Sequence, residues 1–332
     1  MPNVLIIGPT GYVGSALSEQ LIRSGDHYVY AASQSEEEGF RLATNEIIPL
    51  KGSLDSPHAA FELISSNKID VIVDTTSYNN KTTKSKILSI IVDAEKIKRE
   101  QLSKDKHPIQ PKLGFVTVSG IWTQGSTEDP YGSFQKMTAE AQSAVPEEGL
   151  NESKLLYEQE VLASREILDV AIIQPSFIWA RGGASWTRIL GPLVEGARTG
   201  STDVMKIAVD PEDQMYCFTN IDDVAVAIEL AVNKLQLING NSVHPVFELV
   251  GDQFPIGLLF ERDAHYFGCK GKAELYKPEK TGFLDVIGGN HNANRTRAEQ
   301  ILGWYPKKRY FLRDTFIYAN SFMAALALAK RK

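Results

Sequence analysis

The stretch Val4-Leu5-Ile6-Ile7-Gly8-Pro9-Thr10-Gly11-Tyr12-Val13-Gly14 decides the architecture. Its first four residues form an unbroken apolar run, as a strand buried on both faces requires. Three glycines follow at the spacing G-x-x-G-x-x-G. Apolar residues then recur at 13, 16, 17 and 21, which is helical spacing, and Gly25 stands where such a helix stops. Tyr28–Ala32 reads as a second strand. Strand, glycine turn, helix and strand thus fill one βαβ unit of about 30 residues.

The glycines have a physical reading. Gly8 allows a tight turn. Gly11 lets backbone approach a pyrophosphate, whose charge meets the free N–H groups of the helix start, and Gly14 lets helix pack on strand. Thr10, Tyr12 and Val13 complete the cradle. A structural glycine turn is the plain alternative; the setting between strand and helix favours a bound nicotinamide dinucleotide. The end of the second strand distinguishes the two common forms. An acidic residue there binds a ribose 2′-hydroxyl and repels a 2′-phosphate. The chain has Ala31-Ala32-Ser33-Gln34-Ser35, with no carboxylate before Glu36. Ser33 and Gln34 can hydrogen-bond a 2′-phosphate, so NADP is expected, with NAD the alternative.

Working outward, the alternation continues. Ile47–Leu50 and Val71–Val73 read as strands, and Ser56-Pro57 opens a helix with serine as cap and proline in the first turn. Residues 85–105 form a long amphipathic pattern with a charged outer face. Phe115–Val118 and Val170–Ile173 are further strands, with a helix from Asn151 to Arg165 between them. The second half predicts helices at Ile221–Asn233 and Ile256–Phe267, a strand at Val246–Leu249, and a capping box at Thr296-Arg297-Ala298-Glu299 stopped by Gly303. The expected fold is α/β: a Rossmann-like, doubly wound parallel sheet over residues 1–178, followed by a smaller mixed α/β substrate lobe over 179–332. Segments near 217–250 are expected to return to the main domain.

Composition limits the partners. The 332 residues are 43% hydrophobic and 23% charged, ordinary values for a globular protein with a normal core. A net charge of −6 speaks against nucleic acid or an anionic membrane surface. Cys217 and Cys269 have no metal-ligand spacing and suit a reduced, cytoplasmic setting. No metal is expected. No signal-peptide pattern or apolar run of membrane-spanning length is present; the run Phe322–Ala329 is short.

Several separate segments together resemble the extended short-chain dehydrogenase/reductases of the NAD-dependent epimerase/dehydratase type. Gly8–Gly14 resembles their glycine loop. Gly52-Ser53-Leu54-Asp55 resembles the turn that borders the adenine. Asp70–Asp74 resembles the fourth strand. Gln174-Pro175-Ser176-Phe177-Ile178 resembles the R-P-x-x-V segment beside the nicotinamide. Phe218–Ala225 and Leu302-Gly303-Trp304-Tyr305-Pro306 resemble a helix start and a closing L-G-W-x-P. The resemblance implies that Ser53, Leu54, Thr75, Thr76, Ser77, Lys154, Gln174, Pro175 and Ser176 border the cofactor.

It also implies chemistry. The family pairs a tyrosine with a lysine four residues later, the lysine lowering the tyrosine pKa while the tyrosine moves a proton. The best register sets Asn151–Gln159 on Y-x-x-S-K-x-x-x-E-Q, with Lys154 as the lysine. The tyrosine place is then Leu150, which has no proton to transfer. The family's serine falls on Gly120, with Ser119 its neighbour; a shift of one residue restores Ser119. Tyr157, three residues beyond Lys154, is a substitute donor or a packing residue. Tyr78 and Tyr131 are further candidates, and His291, in an expected mobile loop from Gly288 to Asn292, is another.

Trp122, Trp179, Arg181, Trp186, Arg188 and Tyr216 are expected along the substrate crevice. The aromatics suit an apolar or aromatic substrate, and the arginines could pair with an anionic one. The reading is an NAD(P)-binding oxidoreductase acting on a small carbonyl or alcohol through a non-standard proton donor. A non-redox isomerase or dehydratase, or an inactive NADP-sensing scaffold, are its alternatives. A homodimer through the helices at 85–105 and 151–165 is implied by the resemblance.

Overall fold

Seven parallel strands form the central sheet. They are β1 (Asn3–Ile7), β2 (Tyr28–Ser33), β3 (Ile48–Lys51), β4 (Val71–Asp74), β5 (Gly114–Val118), β6 (Asp169–Pro175) and β11 (Val246–Leu249), in the order β11-β6-β5-β4-β1-β2-β3. The computed structural model describes residues 1–33, 35–76, 81–104, 111–124, 150–184, 190–209, 214–240, 243–277 and 291–329. Gln34, Ser77, Tyr78, Tyr131, Trp186, Arg188 and the Gly288–Asn290 part of the proposed loop lie outside them.

Helices cover both faces. On one side pack α1 (Tyr12–Ser24) and α7 (Ile221–Gly240); on the other pack α3 (Pro57–Ser66), α4 (Lys81–Lys104) and α5 (Leu150–Ala163). The strands show why. Side chains alternate between faces with period two. Val4 and Ile6, Val71 and Val73, Val116 and Val118, and Ala171 and Ile173 join the α1 side, while Leu5, Ile72, Phe115, Val170 and Ile172 join the α5 side. Every one is buried, so each strand reads as a continuous apolar run. The same period carries Asp74, Ser119 and Gln174 onto the α5 side, beyond the last apolar residue.

A second sheet begins one residue after β6. It comprises β7 (Phe177–Ala180), β8 (Gly183–Ala184), β10 (Met215–Asn220) and β12 (Asp252–Pro255), in the order β12-β10-β7-β8. A two-stranded parallel pair, β9 (Met205–Ala208) with β13 (Ala273–Tyr276), lies beyond. This region also holds α6 (Gly191–Thr199), α8 (Gly257–Glu261) and the terminal α9 (Phe311–Ala329). Thr219 ties the sheets together: its hydroxyl lies 2.6 Å from that of Ser176 and donates to Leu249 O at 2.6 Å.

Two expectations change. Ile256–Phe267 is not one helix: α8 ends at Glu261, and a 3-10 turn at Ala264–Phe267 leads to Gly268 in the left-handed region. Near 296 the cap is Asn294, whose Oδ1 accepts from Thr296 N at 2.7 Å, and the turn at Ala298–Leu302 is π-helical. Glu299 instead pairs with Arg295 at 2.7 Å. Gly303 does close that turn, at φ 69°. Two of the family-like segments meet in space. Trp304 Nε1 donates to Asp223 O at 2.8 Å, and the Asp223 carboxylate accepts from Lys307 N and Lys308 N at 2.9 Å.

Candidate active site

The glycine loop lies at the carboxyl end of the central sheet, between β1 and α1. Gly8 is at φ +81°, which favours glycine, and Gly11 N closes the turn on Gly8 O at 3.1 Å. A Cβ on Gly14 would stand 2.0 Å from Gly8 O and 2.8 Å from Thr75 Oγ1, so only glycine lets α1 come this close. Thr75 braces the loop by donating to Ile7 O at 2.8 Å and Gly8 O at 3.0 Å. The first residue of α1 follows Gly11, which offers no side-chain cap, and the first turn holds no acidic residue. Thr10 and Gly11 are exposed. The residues present therefore fit a pyrophosphate: an open glycine cradle before uncapped helix N–H groups.

The Tyr12 side chain does something else. Its hydroxyl lies 2.8 Å from Ala180 O and 3.0 Å from Gly183 O, and its ring fills the space where a Gly183 Cβ would be. Burial, with Asp222 nearby, holds its hydroxyl firmly protonated. The turn it grips is unusual, with Ala180 at φ 112° and Arg181 at φ 52°. Arg181 reaches Glu19 and Asp222, each at 2.6 Å. Its charge thus joins α1 and α7 to the second sheet and leaves the expected anionic substrate without this partner.

At the end of β2 the surroundings weigh against the NADP expectation. Ser33 Oγ donates to Ser35 O at 3.1 Å, and Ser35 Oγ caps the helix α2 (Glu36–Ala43) by accepting from Glu38 N. Three carboxylates, Glu36, Glu37 and Glu38, fill the first turn of that helix. Like charges here repel a 2′-phosphate. Ser53 and Leu54 follow β3 at the same end of the sheet and are half-buried.

Beyond β4 lies a buried ion pair that sequence reasoning missed. Lys84 Nζ is 2.7 Å from Asp74 Oδ2, with both side chains essentially inaccessible. Thr76 N and Oγ1 donate to Asp74 Oδ1 at 2.9 and 2.6 Å. Tyr157 joins this cluster. It is 1% exposed, its hydroxyl is 3.4 Å from Asp74 Oδ2, and Lys84 Nζ sits 5.2 Å from its ring centre. Burial, then Asp74, pushes its pKa up. Tyr157 is thus a core residue facing an anion.

Ser119, Lys154 and Gln174 come together around Glu158. Lys154 and Glu158 are one turn apart on α5, against the ends of β5 and β6. Ser119 Oγ donates to Glu158 Oε1, and Gln174 Nε2 lies 2.9 Å from both carboxylate oxygens and 2.8 Å from Thr123 Oγ1. Burial pushes Glu158 up to about 7, against the pull of hydrogen bonds from Ser119, Gln174 and Thr123. Burial also lowers Lys154 to about 8, although Glu158 opposes this. Leu150 opens α5, one turn before Lys154. Glu158 was visible in sequence only as part of a motif; its four-residue spacing from Lys154 was the available signal.

The aromatic residues pack next to this cluster. Trp122 and Phe177 meet at 4.3 Å between ring centres, Phe177 stacks on Tyr216 at 4.8 Å, and His291 lies edge-on to Trp122 and Tyr216. His291 is 4% exposed, and its N–H bonds Met215 O at 2.9 Å. It is therefore a packed wall residue and not a solvated loop histidine. On the far side of Phe177 is an apolar cavity of about 50 Å³. Its walls include Trp179, Ala180, Phe218, Leu259, Phe311 and Tyr318, and among the described residues no charged one lines it. Trp179 Nε1 is buried without a hydrogen-bond partner among the described residues.

No helix among the described residues is long and apolar enough to cross a membrane. Residues 4–100 match the model of the NAD dependent epimerase/dehydratase family. No curated protein matches the chain by sequence. Among solved structures, UDP-glucuronic acid 4-epimerase from Bacillus cereus, in complex with UDP-glucuronic acid and NAD, aligns with a TM-score of 0.68 at 15% identity, over 98% of this chain and 99% of that one. dTDP-glucose 4,6-dehydratase from Bacillus anthracis, in complex with NAD, aligns at 0.67 and 16% identity over 100% and 98%. The UDP-Glc/GlcNAc 4-epimerase of Campylobacter jejuni aligns at 0.66 and 18% over 99% and 100%. By its motifs, by the family model over residues 4–100 and by its fold along the whole chain, this protein resembles the extended short-chain dehydrogenase/reductases of the NAD dependent epimerase/dehydratase family.

Proposed function

We propose that the protein is an NAD-dependent oxidoreductase of the epimerase/dehydratase type, acting at an oxygen-bearing carbon of an organic substrate with an apolar body. The observation that carries this reading is the glycine cradle, set on the same sheet edge as Ser119 and Lys154. The bound dinucleotide would accept or return hydride there.

The chain's own residues divide the remaining work. Backbone from Gly8 to Gly14 would hold the pyrophosphate. Ser53 and Leu54 would border the adenine, and Thr75, Thr76 and Ser77 the middle of the cofactor. Lys154, still protonated at neutral pH with its value near 8, would hold the nicotinamide ribose, flanked by Pro175 and Ser176. We assign Tyr157 to packing. NAD is favoured over NADP by the three carboxylates that open α2. The apolar cavity favours a substrate with a hydrocarbon or aromatic part, and the unpaired Trp179 N–H favours one acceptor oxygen on it.

The second reading is a nucleotide-linked sugar as substrate, which the names of the structural neighbours favour. Among the described residues the cavity lining is uncharged, which speaks against a diphosphate at that place. Calorimetric titration with NAD⁺ and NADP⁺, followed by turnover with apolar alcohols and ketones and with UDP- and dTDP-sugars, tests both. The expected result is NAD⁺ binding at least about tenfold tighter than NADP⁺, or about 1.4 kcal/mol, and turnover in the apolar set. In Gly11→Val the added Cβ meets only Gly8 O, at 3.3 Å, so the fold should survive while NAD⁺ binding is lost. Unchanged affinity in that variant would sink the cofactor reading. Tight NAD⁺ binding without any turnover would identify a sensing protein instead.

A further inference from the structure

We propose that Ser119 and Glu158 form a proton relay that replaces the tyrosine missing at Leu150, with Ser119 touching the substrate oxygen and Glu158 holding the proton behind it. The inference rests on the oxidoreductase reading above and adds its acid–base residues.

Three observations carry it. The first is position. Period-two alternation sets Ser119 and Gln174 on the α5 side of the sheet, at its carboxyl edge, where ligands of open α/β sheets bind. Glu158 comes to the same place from α5, four residues after Lys154. The second is connectivity. Glu158 accepts directly from Ser119 Oγ, so a proton has a one-bond path between carboxylate and hydroxyl.

The third is charge. Among the described residues, the groups hydrogen-bonded to Glu158 are neutral: the hydroxyls of Ser119 and Thr123 and the Gln174 amide, which also bonds Thr123 Oγ1. The segment that Gln174 begins resembles R-P-x-x-V, and an arginine there would set a guanidinium against both carboxylate oxygens. With glutamine instead, the place holds a neutral donor, whose hydrogen bonds favour the carboxylate but bring no positive charge to fix it as an anion. Of the two departures from the family pattern, Gln174 bonds Glu158 directly and Leu150 stands two turns before it on α5. One removes the usual proton donor; the other frees a buried carboxyl to become one. Among the described residues, the charged groups facing Glu158 are Lys154 on its own helix and Glu248 on β11, the latter 4.0 Å from Arg297 Nη1. Burial, and then Glu248, favour the protonated form, and the hydrogen bonds from Ser119, Gln174 and Thr123 the ionised form, so the group stands between the two near neutrality.

The step balances as follows. In oxidation, the substrate C–H bond would break, with the bound oxidised nicotinamide dinucleotide supplying the hydride acceptor. The hydroxyl proton passes to Ser119 Oγ while the Ser119 proton passes to the Glu158 carboxylate. The carbon–oxygen bond becomes a carbonyl, and Glu158 ends protonated. Reduction runs the same transfers in reverse, with Ser119 returning its proton to the carbonyl oxygen.

Ionisation and turnover test the relay separately. Infrared difference spectra between wild type and Glu158→Gln, recorded with NAD⁺ bound across pH 5 to 9, should show a carboxylic acid band that titrates near pH 7 and is absent from the variant. A wild-type band already gone at pH 5 would overturn the relay. In turnover, Glu158→Gln and Ser119→Ala should each lower kcat at least about tenfold with little change in KM, and Glu158→Gln should erase the pH dependence near 7. A variant that keeps both rate and profile overturns the relay and leaves the oxidoreductase reading intact. NAD⁺ binding without turnover of any substrate overturns both.

Discussion

The two ends of the proposed site differ in how they keep to the family pattern. At the glycine loop, the residues that shape the backbone are all in place: Gly8 with its positive φ, Gly14 against Gly8 O, and Thr75 bracing both. At the other end, around Lys154, the residues depart from the pattern that the resemblance implies. Leu150 has no proton to give, Gly120 has no hydroxyl, and Gln174 carries no charge. The difference teaches that a cradle for phosphate is made of backbone N–H groups and of space, whereas acid–base chemistry is made of individual side chains. One can persist while the other is rebuilt.

The largest effect should come from the cradle. Gly14→Ala places a methyl 2.0 Å from Gly8 O, a backbone atom that cannot swing aside. Thermal unfolding should report a loss of about 3 kcal/mol, and NAD⁺ binding should vanish. A stable variant that still binds would show that the loop is looser than its geometry.

The rebuilt end should show itself in pH dependence. Glu158 is raised from 4.5 to about 7, so between those values the folded chain holds a proton that the unfolded chain has released. This group's contribution is therefore most favourable below pH 4.5, falls as pH rises, and levels off above 7. Denaturant unfolding of wild type against Glu158→Gln should differ in slope across that window, by up to about 3 kcal/mol in total. Parallel curves would mean that Glu158 is ionised throughout.

A smaller effect is expected where the two ends are tied. Tyr12→Phe removes the hydroxyl shared by Ala180 O and Gly183 O, both in a strained turn, and should cost about 1–2 kcal/mol. NAD⁺ affinity should change little, because only the backbone of Tyr12 belongs to the cradle. The smallest effect is expected from Tyr157→Phe, which loses one long hydrogen bond to an aspartate still paired with Lys84. Stability should fall by less than about 1 kcal/mol, with turnover unchanged. A hundredfold loss of kcat would return Tyr157 to the catalytic residues.

Much of the fold was legible because its signals are local. The apolar runs of β1, β4, β5 and β6 announce strands buried on both faces, and the glycine spacing announces the first turn. Helix ends at Gly25 and Gly303 were equally plain, since a left-handed cap selects glycine. The misreadings of Arg181 and His291 arose where a distant partner decides, that of Thr296 from a neighbour two residues away. Thr296 looked like a cap, yet Asn294 does the capping. Arg181 looked available for a substrate, yet Glu19 and Asp222 hold it. His291 looked like part of a mobile loop, yet three aromatic rings enclose it.

The sequence by itself determined the parallel sheet, the first glycine turn and the identity of Leu150. Each of these depends on neighbours within a few positions in the chain, or on one residue's identity. Only the tertiary structure decided the ionisation of Glu158. Its surroundings come from β5, β6, β11 and the turn at Thr123, and a carboxyl group takes its pKa from the solvent and charges around it, wherever in the chain they arise.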